Sequence, residues 1–179
     1  MRQARSAVAV SGIAMLALAA LAASSCGYRL AGRNQVLPEN VKVIAIPPFE
    51  NHTRRPEIEQ RITEAVTATF IRRGGYRTSA TEGSADAVLK GAVTGYDTTP
   101  VSVGSDGRAT RYEVVITAQV DLSTVPEGTV LFRAGQFIFK RQYNVSEDAE
   151  TFFDQEIIAI DLIASDFAEA VVTSILEGF

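Results

Sequence analysis

The sequence predicts an α+β two-layer sandwich in the order β-α-β-β-β-α, a mixed four-stranded sheet with two helices on one face. Three observations carry this. Two segments repeat apolar residues every three or four positions, three alternate apolar and polar residues, and one short β-branched run precedes the first helical segment. A crossover through the first helix makes the first two strands parallel, and short links make the last three an antiparallel meander.

Residues 41–49, VKVIAIPPF, read as a strand buried on both faces and stopped by Pro47 and Pro48. Residues 50–53 turn the chain. Asn51 or Thr53 is placed to cap a helix, and Pro56 is tolerated in its first turn because its missing N–H would find no partner there. Ile58, Ile62, Ala65, Val66, Thr69 and Phe70 share one face of that helix, with Glu57, Arg61 and Glu64 off it. Arg72 and Arg73 fall in the last turn, where the helix dipole favours cations, and Gly74-Gly75 supplies the stop.

Three strands follow. The first covers 87–96, with 76–79 as an optional short lead-in, and Gly91 and Gly95 mark bulges or weak points. The second alternates most cleanly: Tyr112, Val114, Ile116, Ala118, Val120 and Leu122 face one way, and Glu113, Thr117, Gln119 and Asp121 the other. The third, 130–145, sets Phe137, Phe139 and Tyr143 against Lys140 and Gln142. Residues 125–128 make a turn of hairpin length, and 98–109, with Pro100, Gly104, Asp106 and Gly107, reads as a mobile loop. Ser146 caps the closing helix, whose first turn carries Glu147, Asp148 and Glu150. Phe153, Ile157, Ile160, Ala164, Phe167, Val171 and Ile175 form its stripe, and Ile158, Leu162 and Val172 broaden it, as though a second surface packed there too.

The amino terminus explains the only cysteine. Arg2 and Arg5, an apolar run from Ala7 to Ala23 and small residues before Cys26 make residues 1–25 a secretory signal peptide. Ala23-Ser24-Ser25-Cys26 resembles the bacterial lipobox, with Ala23 where that pattern prefers Leu; the resemblance implies cleavage before Cys26 and attachment of lipid to it. Each buried methylene contributes roughly 0.8 kcal/mol, and two or three acyl chains together hold a protein on a membrane. By likeness to known lipoproteins, Gly27 rather than Asp after the cysteine implies the outer membrane. Residues 26–40 then form a tether, and 41–179 a single domain on the periplasmic side. Without Arg2 and Arg5 the chain keeps 15 basic and 21 acidic residues, net −6, a poor balance for non-specific nucleic-acid binding.

Motifs for catalysis are missing from the sequence. His52 is the only histidine, no GxSxG, HExxH or phosphate loop occurs, and the carboxylate pairs Asp154/Asp161 and Asp166/Glu169 read as solvated helix faces. The expectation is a protein with no catalytic residues, metal or cofactor. Charge placement says more: residues 142–179 hold nine acidic residues and no Lys or Arg, while the cations gather elsewhere. This suggests a bipolar surface that meets an anionic ligand on the strand-and-loop side. Arg108, Arg111, Lys140 and Arg141, which pairing of the last two strands would bring together, are the candidate contacts.

Cys26-Gly27-Tyr28-Arg29-Leu30, Leu37-Pro38 and Ile44-Ala45-Ile46-Pro47-Pro48-Phe49-Glu50-Asn51-His52-Thr53 together resemble the LptE family of lipopolysaccharide-assembly lipoproteins. The resemblance implies a plug in the lumen of the outer-membrane β-barrel LptD, which helps that barrel assemble and contacts lipopolysaccharide during export. Strand positions such as Thr117 and Gln119 suit the wet, polar wall of a barrel interior. The four cations would then bind the phosphates of lipid A. A lipoprotein adaptor or secretion pilotin for another client is the alternative. Mass spectrometry of the envelope protein is expected to find a chain that begins at an acylated Cys26; an unmodified thiol or a retained leader would remove the anchor.

Overall fold

Alternation and helical periodicity place most of the elements, and long-range pairing supplies the rest. The structure, a computed structural model, describes residues 37–73, 75–145 and 149–177. In chain order these form β1 (Val43–Ala45), β2 (Glu50–Asn51), α1 (Ile58–Arg73), β3 (Arg77–Ser79), a 3-10 turn (Glu82–Ser84), β4 (Ala87–Val103), β5 (Ala109–Thr124), β6 (Val130–Asn144) and α2 (Ala149–Glu177). The leader, Cys26, Gly74 and the capping residues Ser146, Glu147 and Asp148 lie outside the described residues.

The mixed α+β architecture with two helices and an antiparallel meander is as expected, but the sheet has six strands rather than four. Its order is β3-β1-β4-β5-β6, with β2 also pairing with β4. Two local causes account for the difference. Pro47 and Pro48 lack the N–H that a ladder needs, so the expected strand 41–49 splits into β1 and β2, both parallel to β4. The lead-in at 76–79 is a strand in its own right, parallel to β1 through Val43↔Arg77 and Ala45↔Ser79, and forms one edge. Asp86 ties this end together: its carboxylate accepts the N–H groups of Lys42 and Val43, both at 2.8 Å. Those two bonds hold it below the usual carboxylate range.

Helix α1 begins at Ile58, after Pro56 rather than around it. The preceding loop is closed by Asn51, whose side-chain amide donates to the Arg55 carbonyl at 2.8 Å and to Glu59 at 2.7 Å and whose Oδ1 accepts the Thr53 N–H at 2.9 Å. Asn51 therefore clamps the loop rather than capping the helix directly.

Both helices cover the same face of the sheet. Ile58, Ile62, Val66 and Phe70 of α1 and Ile160, Ile163, Phe167 and Val171 of α2 share one core with Val114, Ile116, Ala118, Val120 and Leu122 of β5. Leu37, 2 % exposed, belongs to this core as well, so packing reaches back into the stretch read as tether. Phe167 meets the rings of Phe49, Phe137 and Phe139 edge-on at 6.2, 5.5 and 5.9 Å. On the broadened arc of α2, Val172 is buried, whereas Ile158 and Leu162 remain about half exposed. Among the described residues no helix is long and apolar enough to cross a membrane.

Gly91 permits the Phe49 contact, because a Cβ there would lie 2.2 Å from the Phe49 ring. Gly91→Ala is expected to lower stability by about 1–3 kcal/mol through overpacking. Gly135→Ala, with nothing within 4 Å of the added carbon, serves as the control. Equal urea midpoints for the two variants would contradict this packing.

Candidate functional site

Successive side chains of a strand point to opposite faces, so pairing alone does not gather the four candidate cations. Strands β5 and β6 do pair, with Arg111 opposite Asn144 and Lys140 opposite Val115. Arg111 and Lys140 lie on the face away from the helices. They stand four rungs apart, about 13 Å along the strand at 3.3 Å per residue. Arg141 is the correction. One position from Lys140, it turns through the sheet to the helix side and pairs with Asp166 of α2, so the expected cluster of four is not formed. Arg108 sits at the far end of the β4–β5 hairpin.

That hairpin also replaces the mobile loop expected at 98–109. Strand β4 continues to Val103 and β5 starts at Ala109, through the pairs Thr99↔Glu113, Pro100↔Tyr112, Ser102↔Arg111 and Val103↔Ala109. The turn is tight: Gly104 N–H donates to the Arg108 carbonyl at 2.8 Å, Gly107 takes a φ of +81°, and the Asp106 carboxylate accepts the Arg108 N–H at 3.1 Å. Register shifts at 100–103 absorb the residues that break regular alternation and made this stretch read as a loop.

The expected bipolar surface is mostly neutralised within the fold. Asp161 of α2 pairs with Arg61 of α1 at 2.6 Å, Glu169 with Arg72 and Arg73, and Glu177 with Arg73 at 3.3 Å. Arg73 and Arg72 hold Glu169 below the usual carboxylate range. Arg133 pairs with Asp121, and Lys90 with Glu82 at 2.9 Å. Among the described residues Arg108, Arg111 and Lys140 make no ion pair; Arg111 Nε donates to Asn144 Oδ1 at 3.1 Å. Three of the four sequence candidates are thus uncompensated cations on an uncovered part of the sheet and its hairpin. Around them the same face presents Thr94, Glu113, Thr117, Gln119 and Gln142.

One polar cluster escaped the sequence reading. Glu156 is 8 % exposed, pairs with Arg55 at 3.1 Å and accepts the Tyr96 hydroxyl hydrogen, while Thr98 Oγ1 donates to the Tyr96 oxygen at 3.0 Å. Its signal was available: Glu156 stands four, seven and eleven residues before Ile160, Ile163 and Phe167, on the buried face of α2. Tyr112 and Tyr143 stack beside it at 5.9 Å. The cluster ties the start of α2 and the loop before α1 to β4. His52, by contrast, is exposed and lies 2.9 Å from Glu50. Among the described residues no three His, Cys, Asp or Glu side chains come together to hold a metal.

Burial, reinforced by the bond to Glu156, pushes the Tyr96 phenol up to about 12 from 10.0. The folded protein then keeps Tyr96 neutral where the unfolded chain has lost its proton, so this contribution is complete below pH 10 and lost as pH rises to about 12. After discounting for solvent screening it amounts to about 1–2 kcal/mol. Denaturant titrations below pH 10 and near pH 12 are expected to show a smaller alkaline loss in Tyr96→Phe than in the wild type. An equal loss would contradict the assignment.

Comparison with known proteins follows the same architecture. No curated protein matches the chain. Three solved structures share its fold at low identity. Lipoprotein B from Nitrosomonas europaea is 12 % identical with a TM-score of 0.54, covering 80 % of this chain and 88 % of that one. The rare lipoprotein B from Shewanella oneidensis is 11 % identical with a TM-score of 0.50, over 74 % and 92 %. The protein CT253 from Chlamydia trachomatis is 12 % identical with a TM-score of 0.51, over 78 % and 97 %. The family model described as LptE, lipopolysaccharide-assembly, matches residues 41–175, from before β1 to the last turn of α2. The chain therefore belongs to the LptE lipopolysaccharide-assembly family.

Proposed function

We propose that this chain is an outer-membrane lipoprotein, anchored through acyl chains on Cys26, that plugs and helps assemble an LptD-like β-barrel and contacts lipopolysaccharide during export. It does so without catalysis. Membership of the LptE family supports the assembly role. The observation that carries the lipid contact is that Arg108, Arg111 and Lys140 make no ion pair among the described residues and stand on the uncovered sheet face and its hairpin, whereas the other unpaired cations, Lys42, Arg54 and Arg77, lie elsewhere in the fold.

Guanidinium and ammonium groups free of carboxylate partners are available to phosphate, and Arg offers a planar fork that matches two phosphate oxygens. The uncovered sheet face around them carries hydrogen-bonding groups, Thr94, Thr117, Gln119 and Gln142 with the carboxylate of Glu113, which suits a polar barrel lumen better than an apolar partner. Arg141 has no part in this contact, because Asp166 already occupies it.

Charge reversal at Arg108, Arg111 and Lys140 together is expected to weaken lipopolysaccharide binding by about tenfold or more with the fold intact, whereas Arg141→Glu alone lowers stability instead. Retained binding in the triple variant would remove the site. Separately, depletion of the protein is expected to impair assembly of a copurifying β-barrel; a barrel that assembles normally would remove the plug role.

A further inference from the structure

The two edges of the sheet are guarded differently. Between Ala118↔Phe137 and Val120↔Ala134, and again between Leu122↔Phe132 and Ser123↔Val130, β6 takes an extra residue, and such bulges hinder pairing with another chain. At the opposite edge β3 pairs with β1 without a shift. The Arg77 N–H donates to the Lys42 carbonyl at 2.8 Å, and the Ser79 carbonyl accepts the Ile46 N–H at 2.7 Å. Because bonding direction alternates along a strand, the N–H and C=O of Thr78 between them point away from β1, to the free edge. Beside this edge lies an apolar groove of about 410 Å³, lined by Ile46, Pro48, Ala68, Ile71 and Thr78, with Glu64 its one charged lining group. Ile71 of α1 is 60 % exposed there. Thr78 opens onto the groove because its partner Ile44 belongs to the core under the helices. Arg77, one position away, emerges on the other face with its partner Val43, which packs against Ala45, Ala85 and Val88. Arg77 makes no ion pair among the described residues, and Asp86, which senses its charge, is already held by the N–H groups of Lys42 and Val43.

We infer that β3 is a docking edge for an extended segment of another protein, which adds to the sheet as a further strand with apolar side chains in the groove and acidic ones toward Arg77. The outward backbone groups of Thr78 select an extended chain, and the groove selects its apolar side chains. Glu64 turns acidic side chains away from the groove and Arg77 draws them to the other face, so charge fixes the alternation of the guest strand. A second copy of this chain fits less well, because antiparallel pairing of two β3 strands sets both Arg77 side chains on one face of the joined sheet. The edge lies across the sheet from β6 and takes no part in the proposed lipid contact, so neither inference depends on the other.

The test uses the purified full chain and two short, terminally blocked peptides followed by fluorescence anisotropy, one alternating valine with glutamate and one alternating valine with lysine. Wild type is expected to bind the glutamate peptide with a Kd of about 100 μM or tighter, and the lysine peptide about tenfold or more weakly. Thr78→Pro removes an N–H that points away from β1, where an edge strand tolerates proline, and is expected to lower affinity by about tenfold or more. Ile71→Glu, at an exposed position, is expected to do the same, and Arg77→Glu to reverse the preference between the peptides. Circular dichroism checks each fold. Should Thr78→Pro not fold, glutamate peptides methylated on the backbone nitrogens of either the valines or the glutamates replace it. Only one of those sets faces β3, so one methylation is expected to abolish binding and the other to leave it. No binding of the glutamate peptide, or equal effects of the two methylations, would overturn strand addition. Equal affinity for the two peptides would overturn the acidic chemistry of the guest, and unchanged binding in Ile71→Glu would overturn the groove. A concentration-dependent dimer that Thr78→Pro abolishes would make the occupant a second copy and overturn the choice of partner.

Discussion

Burial of one face of β5 governs the rest of the molecule. Val114, Ile116, Ala118, Val120 and Leu122 all lie under the helices with at most 3 % exposure. A one-residue slip would carry all five to the open side, so the register against β4 and β6 has no competitor of similar energy. Once that register holds, the side of the sheet on which every neighbouring charge emerges follows. Arg111 and Lys140 are open to solvent for the same reason that Ile116 is not, and Arg141 faces α2 for the same reason that Phe139 does.

The helical layer uses the second set of charges. Helix α2 brings carboxylates and α1 brings arginines, and where the two run side by side they pair in sequence, Asp161 with Arg61, Glu169 with Arg72 and Arg73, and Glu177 with Arg73. Exposed pairs of this kind contribute little stability each. Their larger effect is on the surface field, because they remove from solvent much of the acidic character that a linear reading assigns to residues 142–179. The buried Arg55–Glu156–Tyr96 group is different in kind. It takes a carboxylate out of water and satisfies it with a cation and a hydroxyl, so losing Arg55 would leave the Glu156 charge without its counter-ion, while losing the Tyr96 hydroxyl removes one of its hydrogen bonds.

The proline and glycine signals were legible in outline, and their consequences were not. Pro47-Pro48 announces an interruption, but only the continuing β4 ladder turns that interruption into two short strands on one neighbour instead of a strand end. Pro100, Gly104 and Gly107 announce a turn, yet twelve residues of turn-forming composition fold into two strand ends and a five-residue bend because β4 and β5 keep exchanging hydrogen bonds past the core. Register shifts are the device that admits Pro100 to the ladder.

By itself the sequence determined which segments are helices, which residues of β5 and β6 face inward, and the motif set that resembles the LptE family, because periodicities of two and 3.6 and short turn signals are local properties of the chain. Tertiary structure alone decided the six-strand order, the partners that Glu156 finds in Arg55 and Tyr96, and which cations stay unpaired. Those depend on partners far apart in the chain, such as Arg73 with Glu169 and Arg55 with Glu156, and on the parity of a pairing register, where a shift of one position exchanges a solvent-facing arginine for one already neutralised against a helix.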